Sequence, residues 1–130
     1  MKWIYDDGGR SAAGYRGHTG DCTARAIAIA CEMPYQGAYD LVNQYGARER
    51  RSKRSRGKGS ARTGIRKTSV RRLLAALGWT WTPTMGIGTG CRVHLHDGEL
   101  PMGRLVVAVS KHMTAGLDGV IHDAYAPQRE

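Results

Sequence analysis

Cys22 is the residue of this sequence best placed for nucleophilic chemistry. It follows a Gly-containing loop and opens the run 21–31, which is small, apolar and free of Gly and Pro, so we predict that it lies in the first turn of a buried helix. The amide groups and dipole at a helix N-terminus lower the pKa of a thiol and favour the reactive thiolate. A free cysteine is more often a small core residue, and we assign that role to Cys31 and Cys91, which do not stand at a helix start.

A nucleophilic thiol needs a base nearby, and the base needs a third group that orients it. His112 follows the apolar run 105–109, and Asp123 comes later, beyond the dipeptide Asp118-Gly119, which is typical of a two-residue hairpin turn. A turn at that point places His112 opposite residue 125 and diagonally across from Asp123. We therefore predict a hydrogen bond between His112 Nδ1 and the Asp123 carboxylate.

The order of these residues resembles that of papain-like cysteine peptidases, and in particular their small phage- and prophage-encoded members. The strings that carry the resemblance are GDCTARAIAIA, VRRLLAALGW and GRLVVAVSKHMTAGLDGVIHDAY, and it spans roughly residues 18–127. The order also fits the bacteriocin-processing and cell-wall amidase branches. The resemblance implies a thiol hydrolase that cleaves a peptide or isopeptide-like amide, with Cys22 as nucleophile, His112 as base and Asp123 as its orienting group.

The sequence departs from that family at one of the groups that form the oxyanion hole. Papain-like enzymes usually place a Gln shortly before the nucleophile, whereas the first Gln of this chain is Gln36. The amide of Cys22 remains as one donor, and the candidates for a second are His18, Thr19 and Arg16. A catalytically degenerate, binding-only relative is the alternative function.

A strongly basic segment interrupts the chain. Twelve basic residues and one acid, Glu49, lie between positions 48 and 72, so this segment has a net charge of +11. The rest of the chain has a net charge of −2, which gives the total of +9. Three interpretations of this segment are open: a solvated loop, a surface that binds nucleic acid, or a surface that binds an acidic protein partner or substrate. No aromatic residue for base stacking occurs between Tyr45 and Trp79. Its densest part comprises Arg48, Arg50, Arg51, Lys53, Arg54, Arg56 and Lys58.

Three helices are predicted ahead of the strands. The first covers 21–31 with Thr19 or Asp21 as its cap, and the second covers about 34–45 with Pro34 in its first turn and Gly46 at its end. The third is capped by Thr68 or Ser69, has an apolar stripe and ends at Gly78. The residues of that stripe are Val70, Leu73, Leu74 and Leu77.

The second half of the chain has the alternating pattern of strands. We predict strands at 79–83, 91–96 and 104–110, followed by the hairpin 112–125. Helices first and antiparallel strands afterwards indicate an α+β fold. The resemblance implies that this fold is papain-like, with N-terminal helices packed on a C-terminal antiparallel sheet. The first of these helices carries the cysteine. We expect a single domain, 1–130, with a basic mobile insertion at about 47–66, which holds almost nothing to bury.

We expect no cofactor and no metal. A zinc site could be imagined from Cys91, His94, His96 and His122. Structural zinc sites usually have two spaced pairs of ligands, however, and the sequence lacks the second pair. An apolar run of the ~20 residues that a membrane span needs does not occur. The first residues have no apolar signal region, and an odd number of cysteines, three, argues against a disulfide framework. These features indicate a cytoplasmic protein, in the host cytoplasm if it is phage-encoded.

Overall fold

The computed structural model describes residues 3–16, 20–49, 59–80, 85–86, 90–91, 103–109 and 112–124. Within these residues the chain forms helices α1 Cys22–Ala30, α2 Tyr35–Gly46 and α3 Lys67–Ala76. The strands are β1 Trp3–Tyr5, β2 Met85–Gly86, β3 Gly90–Cys91, β4 Arg104–Val109, β5 His112–Leu117 and β6 Val120–Asp123. The α+β class predicted from the sequence is confirmed, and none of the described helices is long and apolar enough to cross a membrane.

The main sheet has four strands in the order β1-β6-β5-β4. The C-terminal strands β4, β5 and β6 are antiparallel to one another, as predicted, but β1 adds to the edge parallel to β6, with Trp3 beside Ile121 and Tyr5 beside Asp123. The sheet is therefore mixed rather than purely antiparallel. A parallel neighbour needs a long crossover connection, and the chain between β1 and β6, which includes all three helices, provides it.

The β5–β6 hairpin has the predicted turn and register. Asp118 and Gly119 both have positive φ, 49° and 83°, as a type I′ turn requires. Ala115 pairs with His122 and Leu117 pairs with Val120, which is the register expected from a turn at that dipeptide.

Helix α1 is the centre of the core. Every residue from Thr23 to Ala30 is buried, because the helix packs on β5 and β4 on one side and on α2 on the other. Its small side chains, among them Ala24, Ala26 and Ala28, allow these elements to approach closely, while Ile27 fills the space between them. The predicted helix, buried on most sides, is confirmed, and it begins at Cys22.

The helix ends follow the predictions in part. Gly78 has a φ of 87°, and the N–H groups of Gly78 and Trp79 donate to the carbonyls of Ala75 and Leu74 at 3.0 and 2.9 Å, so the predicted stop after α3 is confirmed. The predicted caps of α3 are wrong, since the helix begins at Lys67. Leu77, expected in the buried stripe, is 41% exposed because it lies at the C-cap of the helix.

Helix α2 begins at Tyr35, and Pro34 occupies its N-cap rather than its first turn. Gly46 is the last helical residue, as expected. The predicted strands 79–83 and 91–96 lie largely outside the described residues. The described parts are Trp79 and Thr80, which are not in a strand, and the short antiparallel pair β2–β3, in which Met85 is the partner of Cys91.

Both ends of the basic segment pack against the helices. Glu49 is only 7% exposed and accepts hydrogen bonds from the N–H groups of Gly59 (2.8 Å) and Arg66 (2.7 Å) and from the hydroxyl of Ser69 (2.6 Å). Ala61 is fully buried. The expectation of a loop with almost nothing to bury is therefore wrong at its two ends. The single acid of the segment, Glu49, links its two ends through these hydrogen bonds. Residues 50–58 lie outside the described part.

Candidate active site

The first turn of α1 presents Cys22 toward strand β5. Cys22 is partly exposed, whereas Thr23 beside it is buried and its hydroxyl lies 3.8 Å from the sulfur of Met113 on β5. This contact joins the N-terminus of α1 to the strand that begins with His112. The thiol is therefore held at the edge of the core, open to solvent on one side.

His112 and Asp123 form the second half of the site. His112 Nε2 lies 2.6 Å from Asp123 Oδ2, in a diagonal contact between neighbouring strands. The predicted contact is present, but the nitrogen differs from the predicted Nδ1. Since Nε2 faces the carboxylate, Nδ1 is the ring nitrogen left for the thiol.

Cys22 is hydrogen-bonded to the His112 side chain and to the backbone N–H of Met113. Burial by itself raises the pKa of the thiol, but these two hydrogen bonds and the positive charges of His112 and Arg25 outweigh it and lower the pKa below its ordinary value. The structure thus brings together all three residues predicted to act in catalysis.

The His112 ring is held in its charged form. Its hydrogen bond to Asp123, followed by the one to Cys22, raises its pKa to about 9, although burial opposes the shift. For Asp123, burial raises the pKa, but the hydrogen bond from His112 and the charges of His112 and Arg25 reverse the direction and lower it. The contacts lower the pKa of the thiol and raise that of the ring, so the arrangement favours a thiolate–imidazolium pair over a neutral pair.

The position of Asp123 is fixed by contacts to its backbone as well as its side chain. Its carbonyl accepts hydrogen bonds from Trp3 Nε1 at 3.2 Å and from the Asp6 N–H at 2.9 Å, and its Oδ1 accepts the Ala124 N–H at 2.7 Å. The side chain is 6% exposed. Strand β1 and the residue after it therefore help to fix the position of Asp123, the partner of His112.

Arg25 is a site residue that sequence reasoning missed. It lies on α1, one turn after Cys22, and is 5% exposed. Its Nε is 3.3 Å from Asp21 Oδ1 and its Nη1 is 3.7 Å from Asp123 Oδ1. An arginine inside an otherwise apolar helical run was the sequence signal that could have identified it, because a buried guanidinium needs carboxylate partners.

Asp21 occupies the N-cap position of α1, as predicted, but its side chain makes no capping hydrogen bond. Its carboxylate instead accepts the Tyr35 hydroxyl at 2.6 Å and pairs with Arg10 Nε at 3.0 Å, in addition to Arg25. Burial and the contact with Asp21 raise the pKa of Tyr35. The two arginines and the tyrosine draw the side chain away from the helix amides.

The oxyanion-hole candidates are described only in part. His18 and Thr19, like the alternative cap Thr19, lie outside the described residues. Arg16 is exposed, and its carbonyl accepts a hydrogen bond from Arg10 Nη2 at 3.0 Å. The backbone N–H of Cys22 belongs to the first turn of α1, whose amides have no partner within the helix. Of the predicted oxyanion-hole donors, this N–H is the one that the described residues place beside the thiol.

Cys31 and His122, which the structure describes, differ from these site residues. Burial raises the pKa of the Cys31 thiol, although the charge of Arg104 opposes the shift, so Cys31 lacks the activation of Cys22. His122 Nδ1 lies 3.5 Å from Asp6 Oδ2, away from the thiol. His94, His96 and the side chain of Cys91 lie outside the described residues.

Comparison of the chain with protein-family models, with curated proteins and with solved structures gave no match. The functional argument therefore depends on the residues of this chain and on their geometry.

Proposed function

We propose that the protein is a papain-like thiol hydrolase, a cysteine peptidase or amidase that cleaves a peptide or isopeptide-like amide. The observation that carries the proposal is the chain of contacts from the Cys22 thiol to the His112 ring and from His112 Nε2 to Asp123 Oδ2 at 2.6 Å. It has the nucleophile, base and orienting group that acyl transfer requires, each in hydrogen-bond contact with the next.

The mechanism follows from the charges of these groups. The Cys22 thiolate attacks the amide carbonyl, and the resulting tetrahedral intermediate collapses when the His112 imidazolium donates a proton to the leaving amine. The neutral ring then removes a proton from water, which attacks the thioester. Collapse of the second intermediate releases the carboxylic acid and restores the thiolate, with the proton again on His112.

The negative oxygen of each tetrahedral intermediate needs donors that are already in place. In our proposal the backbone N–H of Cys22 provides one, at the positive end of the α1 dipole. A second donor comes from the preceding loop, where His18, Thr19 and Arg16 are the candidates. Loss of a single such donor reduces the rate by about 10²–10³-fold in related chemistry.

The papain-like assignment has support in the placement of the groups. The nucleophile begins a buried helix, and this helix packs on an antiparallel hairpin that carries the base on one strand and its partner on the next. This matches the order Cys, His, Asp on which the resemblance to phage- and prophage-encoded papain-like proteins depends. A reduced thiol suits the cytoplasm, the compartment that we propose for this chain.

Selective alkylation tests the proposal at the nucleophile. Full-length protein is treated at pH 6 with iodoacetamide, and separately with a peptide epoxide, and the modified cysteines are identified by mass spectrometry. We expect Cys22 to react first, since its pKa is lowered, and Cys31 to react slowly, since its pKa is raised. The Cys31→Ala variant is the matched control, in which labelling of Cys22 should be unchanged.

Turnover is then measured on a library of fluorogenic peptide amides with the wild-type protein and with Cys22→Ala. Hydrolysis that disappears in Cys22→Ala supports the proposal. An unreactive Cys22 at pH 6, or hydrolysis that persists in Cys22→Ala, contradicts it.

The second candidate is a papain-like binding protein without turnover, which uses its basic segment to engage nucleic acid or an acidic host protein. It is favoured by the exposed cations of the described part of that segment, since residues 59–80 contain no acid. These exposed residues are Arg62, Lys67, Arg71 and Arg72. Four serines in place of Arg50, Arg51, Lys53 and Arg54 should weaken binding of an acidic macromolecule at low salt and leave hydrolysis of a small neutral amide unchanged. Loss of all function in that variant, with none lost in Cys22→Ala, favours this second candidate.

A further inference from the structure

Arg25 is a buried cation that joins the helix of the nucleophile to the strand of Asp123. The Arg25 side chain is 7% exposed, and its guanidinium pairs with Asp21 at the start of α1 and with Asp123 at the end of β6. Removal of a guanidinium from water costs several kcal/mol unless carboxylates or other acceptors compensate it. An aliphatic side chain would fill the same core position without that cost, so the charge calls for an explanation beyond packing.

The two oxygens of Asp123 have different partners. Oδ2 faces His112 Nε2 at 2.6 Å, whereas Oδ1 accepts the Ala124 N–H at 2.7 Å and lies 3.7 Å from Arg25 Nη1. A carboxylate that is held on both oxygens cannot rotate about its Cβ–Cγ bond without breaking a contact. The partners of Oδ1 therefore set the direction in which Oδ2 points.

Asp21 fixes the guanidinium in turn. It accepts the Tyr35 hydroxyl at 2.6 Å, pairs with Arg10 Nε at 3.0 Å, and lies 3.3 Å from Arg25 Nε. Gly8 adds to this restraint, because a Cβ at this position would lie 3.1 Å from the Arg25 carbonyl oxygen. The loop after β1 thus packs directly on the backbone of Arg25.

We propose that Arg25 is a positioning residue that acts through Asp123 to hold the His112 ring against the Cys22 thiol. The proposal rests on the function proposed above and adds a fourth residue to it. Arg25 does not touch a substrate in this role. It fixes the carboxylate and places a positive charge near the thiolate, which belongs to the same helix.

The test compares Arg25→Met with Arg10→Met. Both variants remove one guanidinium from Asp21, but Arg10 pairs with Asp21 and not with Asp123 among the contacts of the described residues. Two properties are measured on the full chain: the pH profile of Cys22 alkylation by iodoacetamide, and the low-field NMR signal of the proton between His112 and Asp123.

We expect Arg25→Met to slow alkylation at pH 6 by about tenfold, as loss of a nearby opposite charge predicts, and to shift the proton signal. Arg10→Met should change both much less, because it removes a partner of Asp21 only and leaves Arg25 beside Asp123. Because Arg25 acts through Asp123, adding Arg25→Met to an Asp123→Asn protein should slow alkylation much less than it does in the wild-type protein. A wild-type profile and signal in Arg25→Met would overturn the proposal, as would full additivity with Asp123→Asn.

Arg25→Lys keeps the test decisive if Arg25→Met does not fold. Lysine retains the charge but lacks the planar fork that reaches both carboxylates, so the proton signal should still shift. A signal and profile like those of the wild type would overturn the proposal. If the proposed hydrolase function is wrong, Cys22 of the wild-type protein will be unreactive, and this outcome is distinct from failure of the Arg25 proposal. The His112–Asp123 signal and its response to Arg25→Lys do not depend on that reactivity.

Discussion

His112 and Asp123 lie diagonally across the β5–β6 hairpin and share a hydrogen bond of 2.6 Å between Nε2 and Oδ2. This contact is a consequence of the hairpin register, which the turn at Asp118 and Gly119 sets. The proposed base and its proposed orienting group are therefore local to one hairpin, and α1 brings the proposed nucleophile to them by docking on β5.

The titration of His112 should depend mainly on Asp123. We expect the ring to titrate at about 9 in the wild-type protein. In Asp123→Ala its pKa should fall toward 6.5, because the hydrogen bond to Asp123 is the largest cause of the shift. NMR of the ring protons measures both values, and His122→Gln, which removes the neighbouring histidine, is the control. A wild-type value near 6.5 would contradict the expected ion pair.

The same shift predicts how stability depends on pH. Since folding raises the pKa of His112, its contribution to stability is complete below about 6.5 and is lost as the pH rises through about 9. Urea unfolding between these pH values, in a Cys22→Ala background that removes the thiol's own titration, should show a loss of stability. The loss should be absent when His112→Gln is added, and its persistence there would assign it to another group.

Asp123→Asn should impair the site because both carboxylate oxygens of Asp123 have partners. An asparagine has one acceptor oxygen, whereas Asp123 accepts on Oδ2 from His112 and on Oδ1 from Ala124, close to Arg25. One of these sides must face an NH₂ group instead. We expect alkylation of Cys22 at pH 6 to slow by at least about tenfold. The matched control is Asp6→Asn, which alters the partner of His122 instead, and a wild-type rate in Asp123→Asn would show that the carboxylate charge is not required.

Glu49→Gln should destabilise the fold without changing the pH profile of Cys22. The amide replaces an oxygen that accepts from buried donors, so we expect a loss of about 1–3 kcal/mol in the free energy of unfolding. Asp40→Asn on α2 is the control, because Asp40 makes an exposed contact to Gln36, and its change should stay within about 0.5 kcal/mol. Equal losses in the two variants, measured by urea unfolding, would contradict the structural role of Glu49.

Gly46→Ala and Gly37→Ala should have opposite effects although both glycines belong to α2. A Cβ on Gly46 would collide with the carbonyl oxygen of Gly59 and lie 2.7 Å from its carbonyl carbon, whereas a Cβ on Gly37 would meet nothing within 4 Å. We expect Gly46→Ala to lower the free energy of unfolding by about 1–3 kcal/mol. Gly37→Ala should raise it by about 0.5–1 kcal/mol, since alanine favours helix. Thermal unfolding of the two variants compares them, and a stabilised Gly46→Ala would show that residue 59 moves away without cost.

The parts of the site that follow from local rules could be predicted from the sequence. The turn dipeptide determined the hairpin register, and with it the contact between His112 and Asp123. The apolar run determined the helix that begins at Cys22. The nitrogen of His112 that faces Asp123 could not be predicted, because it depends on how α1 docks, which is a tertiary contact.

The charged residues of the interior were the parts that could not be predicted. Asp21 has the sequence context of a helix cap, and only the positions of Arg10, Arg25 and Tyr35 show why its side chain turns elsewhere. Glu49 was counted as one acid among many bases. Its burial depends on the return of residues 59–66 to the end of α2, a non-local contact that composition does not contain.

The pairing of β1 with β6 has a consequence for the order of folding. The indole of Trp3 reaches the carbonyl of Asp123 across 120 positions of sequence, and Cys22 meets His112 and Met113 about 90 positions away. Contacts between residues so far apart in sequence form late and slowly, because the entropy of closing a long loop must be lost before the contact stabilises the chain. A chain that is still being synthesised can thus fold α1 and α2 first, while its Cys22 thiol has Arg25 nearby but still lacks its contacts with His112 and Met113. The lowered pKa of the thiol should therefore develop fully only when β5 and β6 have joined the sheet.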